Sequence, residues 1–460
     1  MANYLGYSGI TSFKVSSYTY NSITVSWAKP TTGGFSGLRL VLKAGSAPTS
    51  ITDGTYVNST GTSYTFSGLS LNTTYYITAY PYVTFTNYET KYYNQASITK
   101  SVNIGSMGKY GNASQMGYGR NYGAAATTGD VAIFAGGFYW NSSGYFYPNS
   151  IDLYNSSRTH SHIASMLNYG VWGPAGARAG NYAIIAGGWT GTQSNKDSKG
   201  GEGYNPRAYI FNSSGTKVST PGFTARMWLD ATTVNGVALF GGGYGNNGYE
   251  SVVEGYNSSG TKISVNSLAA GKSELAAATA GSIAVFGGGR TAARTMSSTI
   301  DTYNSSGTRI SNSSALSVAR YELAAASAGN YAIFGGGRNS TASTTSYLNT
   351  VDVINSSGTR QTTSTLSAGR FRLCATNVGY YAIFAGGQTG DIYCSAVVDC
   401  FNGSLTRTTL TSLTDSMNKG RATPAATYAG NYAYVGGGYY GTNSAWWYFN
   451  YVDAYQVTYS

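Results

Sequence analysis

Few residues of this 460-residue chain have the types and spacing for chemistry, and the most regular of them are basic. When the repeated glycine pairs described below are superimposed, one position carries Arg120, Arg226, Lys272, Arg320, Arg370 and Arg421, with Val171 in the second copy. Arg and Lys side chains only donate hydrogen bonds, so six of them at one level form a collar suited to an acidic ligand or to neighbouring loop carbonyls. Glu274 and Glu322 stand two residues beyond their basic partners, which points to some pairs being satisfied internally. The only two histidines, His160 and His162, are two residues apart and share a strand face. A metal site takes three or four ligands, and no further Cys or His lies nearby, so neither a metal nor a cofactor is expected. There is no phosphate loop, nucleophile elbow or zinc-protease motif. The 17 acidic residues include no evident carboxylate pair of the kind glycoside hydrolysis uses. Binding, and not catalysis, is the expectation.

A second set of candidates is aromatic. Tyr139 and Trp140, Trp189, Tyr244, and the group Tyr439, Tyr440, Trp446 and Trp447 all follow a glycine pair, in segments that differ strongly in length. The longest is "WTGTQSNKDSKGGEGYNPR", beginning at Trp189. A ring on an exposed loop can stack its apolar face on a ligand while its polar edge stays wet, and variable loops on a rigid scaffold are where recognition commonly resides.

What must position these residues is a repeat. Four apolar residues followed by two glycines recur as "VAIFAGG" to Gly137, "YAIIAGG" to Gly188, "VALFGGG" to Gly243 and "IAVFGGG" to Gly289. "YAIFGGG" to Gly337, "YAIFAGG" to Gly387 and "YAYVGGG" to Gly438 complete seven copies, about 50 residues apart. Ahead of each lies a small-residue run such as "AAASAGN"; behind it come a strand and turn such as "TVDVINSSGTR". In that turn Asn-Ser-Ser-Gly supplies hairpin chemistry. A short fourth run makes four strands per copy. Small residues suit a first strand crowded round a central channel, and paired glycines allow close backbone approach. The period and the double glycine resemble the kelch repeat, although its outer-strand tryptophan is missing. That resemblance covers residues 104–460 and implies a seven-bladed β-propeller, with the collar and the aromatic loops on one rim. The last copy stops after three strands, so residues 104–117 are expected to supply the fourth.

Residues 1–9 form a leading segment. From 10 to 103, runs such as "SITVSW", "LRLVLK" and "TYYITAY" alternate apolar and polar residues. This period of two marks half-buried strands, and about seven such runs suit a β-sandwich. Trp27 and the segment "LSLNTTYYI", with Leu69 and Tyr75, resemble the fibronectin type III family, with Leu71 where a proline is usual. The segment Leu42–Val57 is similar to a variant found in bacteriophage tail and other virion proteins.

Composition narrows the partners. Charged residues are only 10%, against roughly 25% in typical domains, while Gly (62) and Tyr (43) abound. The net charge of +11 comes from scattered bases with no cluster; nucleic acid, which calls for clustered bases, is not an expected partner. A diffuse attraction to anionic glycans or cell surfaces is. No run approaches the roughly 20 apolar residues of a membrane span, and the first residues lack the pattern of an export signal, so membrane insertion is not expected and synthesis in a host cytoplasm is. Cys374, Cys394 and Cys400 do not form a disulfide framework. The Asn-x-Ser/Thr triplets read as turns. No heptad imposes an oligomer. The resemblances together imply a virion-associated binding protein: the sandwich mounts it on other virion proteins and the propeller recognises a host-surface polysaccharide or protein. A head or tail decoration protein without a receptor role, and a cellular kelch adhesin or scaffold at a bacterial surface or outside the cell, remain alternatives.

Overall fold

The computed structural model describes residues 10–18, 22–30, 34–69, 73–85, 88–93, 98–103, 105–190, 203–293, 295–310, 314–340, 345–361, 365–414, 420–442 and 445–458. Every regular element among them is a β-strand. The chain divides into two compact units, one of residues 1–106 with 457–460 and one of residues 107–456.

In the first unit, strands Thr11–Tyr18, Ser22–Ala28 and Ser63–Ser67 form one antiparallel sheet in that order. The other sheet runs Thr55–Ser59, Gly37–Ala44, Thr74–Phe85, with Tyr88–Tyr93 and Ile98–Asn103 both pairing with Thr74–Phe85. The alternation seen in the sequence becomes a shared core: Ile23, Val25, Trp27 and Phe66 of one sheet pack with Leu38, Leu40, Leu42, Ile77 and Ala79 of the other.

Among the described residues, the second unit contains, beside smaller two- and three-stranded sheets, seven antiparallel sheets with four strands in series. Their first strands are Asn121–Thr127, Ala175–Ala179, Asp230–Val234, Ala276–Ala280, Ala324–Ala328, Cys374–Val378 and Ala425–Ala429. Each packs beside the next and the seventh beside the first, so the sheets close a ring around a channel. The seventh sheet takes its outer strand, Ser106–Ala113, from the other end of the chain.

The glycine pairs are the joints of this ring. Both glycines of every pair have positive φ, a region that costs any side-chain-bearing residue. The N–H of the second glycine donates to the carbonyl that ends the lead-in of the next sheet: Gly137 to Val171, Gly188 to Arg226, Gly243 to Lys272, Gly289 to Arg320, Gly337 to Arg370, Gly387 to Arg421 and Gly438 to Arg120, at 2.6–2.9 Å. A Cβ on the first glycine would fall on that same oxygen; at Gly336 it would sit 2.5 Å from the Arg370 carbonyl. The Asn of each hairpin turn behaves likewise as a local fastener: Asn355 Oδ1 accepts from the N–H groups of Ser357 and Thr359.

Candidate functional site

The basic collar does not line the channel. Arg120, Arg226, Lys272, Arg320, Arg370 and Arg421 are all at most 2% exposed. Each reaches back under its own sheet to an acid on the third strand: Arg120 to Asp152 at 2.5 Å, Arg226 to Glu254 at 2.6 Å and Lys272 to Asp301 at 2.9 Å. Arg320 meets Asp352 at 2.7 Å, Arg370 meets Asp399 at 2.9 Å, and Arg421 pairs with Asp453. The physical reason is that a charge carried inward has to be neutralised, and the third strand offers an acid at the matching level. The reading of this collar as a ligand contact is therefore corrected. Burial pushes the Arg120, Arg226, Lys272, Arg320 and Arg370 cations down from their ordinary values, against the pull of those carboxylates. Burial raises the Asp399 and Glu254 carboxyls, but their basic neighbours prevail and hold both below the usual range.

Each acid receives a second base from the outer strand: Lys262 on Glu254, Arg309 on Asp301, Arg360 on Asp352, Arg407 on Asp399, and Lys109 of Ser106–Ala113 on Asp453. In the first sheet His160 and His162 fill this place on Asp152, at 2.9 and 3.0 Å. Among the described residues no cluster of three metal-ligating side chains occurs. The second sheet lacks both members of the inner pair; Val171 and Tyr209 stand there in one apolar cluster.

The side chains that do face the mouth are two residues further on, and sequence reasoning missed them as a set. Tyr122, Gly173, Trp228, Glu274, Glu322, Arg372 and Thr423, one per sheet, all have φ between +48° and +66°. Six backbone bonds chain them round the axis, from the N–H of Gly173, Trp228, Glu274, Glu322, Arg372 and Thr423 to the carbonyl of the preceding member. For residues other than Gly this conformation costs of order 1 kcal/mol or more each; the run of six hydrogen bonds holds them in it. A cavity of about 190 Å3 opens between them.

Two groups of side chains extend outward from its lining residues. In one, Tyr122, Phe138, Trp172, Trp228 and Tyr244 follow one another with ring centroids 5.6–6.4 Å apart. The aromatic run continues through Tyr204 to Trp189. In the other, Arg290 pairs with Glu274, while Glu322 takes Arg338 at 2.6 Å and Arg372 at 2.7 Å. Burial, then the nearby Glu322 charge, push the Glu274 carboxyl up to about 7, against the pull of Arg290. Arg372 is also 5.8 Å from the centroid of the Tyr122 ring.

The predicted aromatics divide in the same way. Trp189 and Tyr244 belong to the aromatic run and are half-buried. Tyr439 is buried, which corrects its placement on an open loop: its backbone pairs with Ala422, Trp446 packs on its ring, and its hydroxyl lies 3.5 Å from Arg372. Trp140, Trp446 and Trp447 are 49%, 52% and 39% exposed, on two hairpins. Tyr440 stacks on Trp447 at 5.6 Å, and Tyr139 on Tyr118 at 6.0 Å. Residues 191–202 of the long second segment lie outside the described residues.

The site and its scaffold thus define an all-β ring with a mouth that is aromatic on one side and ionic on the other. No family model matches the chain, and no curated protein does. A solved structure described as that of YjhT is similar in fold, with a TM-score of 0.51 at 12% identity. The alignment spans 65% of this chain and 99% of that one.

Proposed function

We propose that the seven sheets are a kelch-like β-propeller, that residues 10–103 are a fibronectin type III-like mount, and that the protein binds a surface glycan through the mouth and its aromatic rim. The observations that carry this reading are the row of aromatic rings beside the mouth and the exposed Trp140, Trp446 and Trp447 on two hairpins. Sugar rings present C–H faces that stack on such surfaces, while their hydroxyls pair with carboxylates and guanidinium groups of the kind that Glu274, Glu322 and Arg372 supply. The setting is a virion, to which the Leu42–Val57 resemblance points, with the mount contacting other virion proteins. Binding and not turnover is the role: the basic residues of the repeat are consumed by the scaffold.

The test is a glycan array probed with the full chain and with the triple variant Trp140→Ala, Trp446→Ala, Trp447→Ala. These side chains are mostly outside the core, so the variant is expected to fold and to lose its array signal. Retained signal, or no signal from the parent chain, overturns the reading.

A further inference from the structure

At the other end of the inner strands the channel widens to about 560 Å3. Gly173 at the mouth and Arg178 at this end are five residues apart, roughly 16 Å in extended chain. The fourth residue of the small-residue run faces this space, and six of the seven sheets put a neutral polar group there: Thr127, Thr233, Thr279, Ser327, Asn377 and Tyr428. The second sheet puts Arg178. Among the described residues it is the only charged one lining the space, and no carboxylate lines it.

Arg178 is held across the opening. Its Nε donates to the Gly180 carbonyl at 2.5 Å, and one Nη donates to the Tyr428 hydroxyl, two sheets away, at 3.4 Å. Its guanidinium lies over Gly129, whose φ is +108° and where a Cβ would come within 3.1 Å of it. Thr127 accepts from the Gly129 N–H at 2.8 Å. Because Tyr428 and Thr127 each accept a hydrogen bond here, each keeps its own O–H hydrogen to donate, and the second Nη of Arg178 is also available. Donors from three neighbouring sheets thus line the same end of the channel, one of them a planar cation that matches oxyanions in a fork.

We propose that this end of the channel is a site for a small oxyanion, a phosphate, sulfate or carboxylate group, held by Arg178, Tyr428 and Thr127. It is independent of the mouth and of any glycan bound there. The source is either a free ion or an anionic substituent on a small molecule that enters the channel.

The experiment is titration calorimetry of the full chain with inorganic phosphate, inorganic sulfate, glucose 6-phosphate and glucuronate, at low ionic strength with chloride as the control. Saturable binding of phosphate or sulfate is expected, with at least tenfold weaker binding in Arg178→Thr, the residue that other sheets use at this position. Binding of the inorganic ions alone assigns a free-ion site; tighter binding of the sugar derivatives assigns a substituent site. Should Arg178→Thr fail to fold, Tyr428→Phe carries the test through a several-fold loss. No binding up to tens of millimolar, or equal affinity in these variants, overturns the proposal.

Discussion

Replacing Arg320 by Val isolates the role of the buried pairs. Its guanidinium gives 2.7 Å to Asp352 and reaches the carbonyls of Val318 and Phe334 at 3.2 Å, with no solvent exposure. Without it Asp352 keeps only the Ser317 N–H and hydroxyl and the partly exposed Arg360 at 3.4 Å. Breaking a buried pair from one side costs about 3–5 kcal/mol, because the remaining charge is stranded. Asp352→Tyr strands Arg320 and should cost a similar amount. The double variant reproduces what the second sheet already contains, Val171 with Tyr209, and should return to within about 2 kcal/mol of the parent, since apolar replacement of a whole pair is often neutral. Urea unfolding followed by tryptophan fluorescence, at constant slope, gives the four free energies of the cycle. A coupling of at least about 3 kcal/mol is expected. Single variants costing under about 1 kcal/mol, or a double variant as costly as the sum, would show that these ions are not a structural unit.

Gly336→Ala places a Cβ 2.5 Å from the Arg370 carbonyl at φ +71° and should lower stability by at least about 2 kcal/mol, read from the urea midpoint. Asp230 sits on an inner strand, accepting from the N–H groups of Ala231 and Ala277. Burial lifts its carboxyl from 3.8 to about 7 against those two bonds. A raised carboxyl favours the folded state in acid, so its contribution is present below pH 4 and is lost as pH rises through 7. Asp230 keeps some contact with solvent, so the loss is at most about 4 kcal/mol. Unfolding free energy should fall between about pH 4 and 7, and the slope should flatten in Asp230→Asn. A chain shortened to begin at Tyr122 loses Lys109 from Asp453 and Arg120 from Asp152; it should melt well below one beginning at Gly105, and equal melting would refute a role for the Ser106–Ala113 strand in closing the seventh sheet.

How far the sequence carried depends on which residues advertise their constraint. Glycine does: the repeated pairs mark where the second strands end, because only a residue without Cβ tolerates that carbonyl. The acids were equally regular, as Asp152, Glu254, Asp301, Asp352, Asp399 and Asp453, each about 30 residues after its base. Their meaning was hidden while the bases were weighed as ligand contacts. The usable signal was a joint exception, since the copy without a base, at Val171, also lacks the acid, at Tyr209. The strained ring at the mouth gave less warning. Left-handed backbone is usually announced by Gly or Asn, and only Gly173 does so; Tyr, Trp, Glu, Arg and Thr hold the other places because neighbouring main chains bind them there. Tyr439 looked like its neighbours Tyr440 and Trp447, and its backbone pairing with Ala422 and the packing of Trp446 over it tell them apart.

Beside the apolar packing between sheets, each glycine pair ties its neighbour with an amide and a carbonyl, and that bond involves no side chain. Whatever follows the second glycine can therefore be lengthened, shortened or rewritten without disturbing how neighbours interlock. Such a frame lets one segment change at a time, and a change in a single copy leaves the other six joints intact.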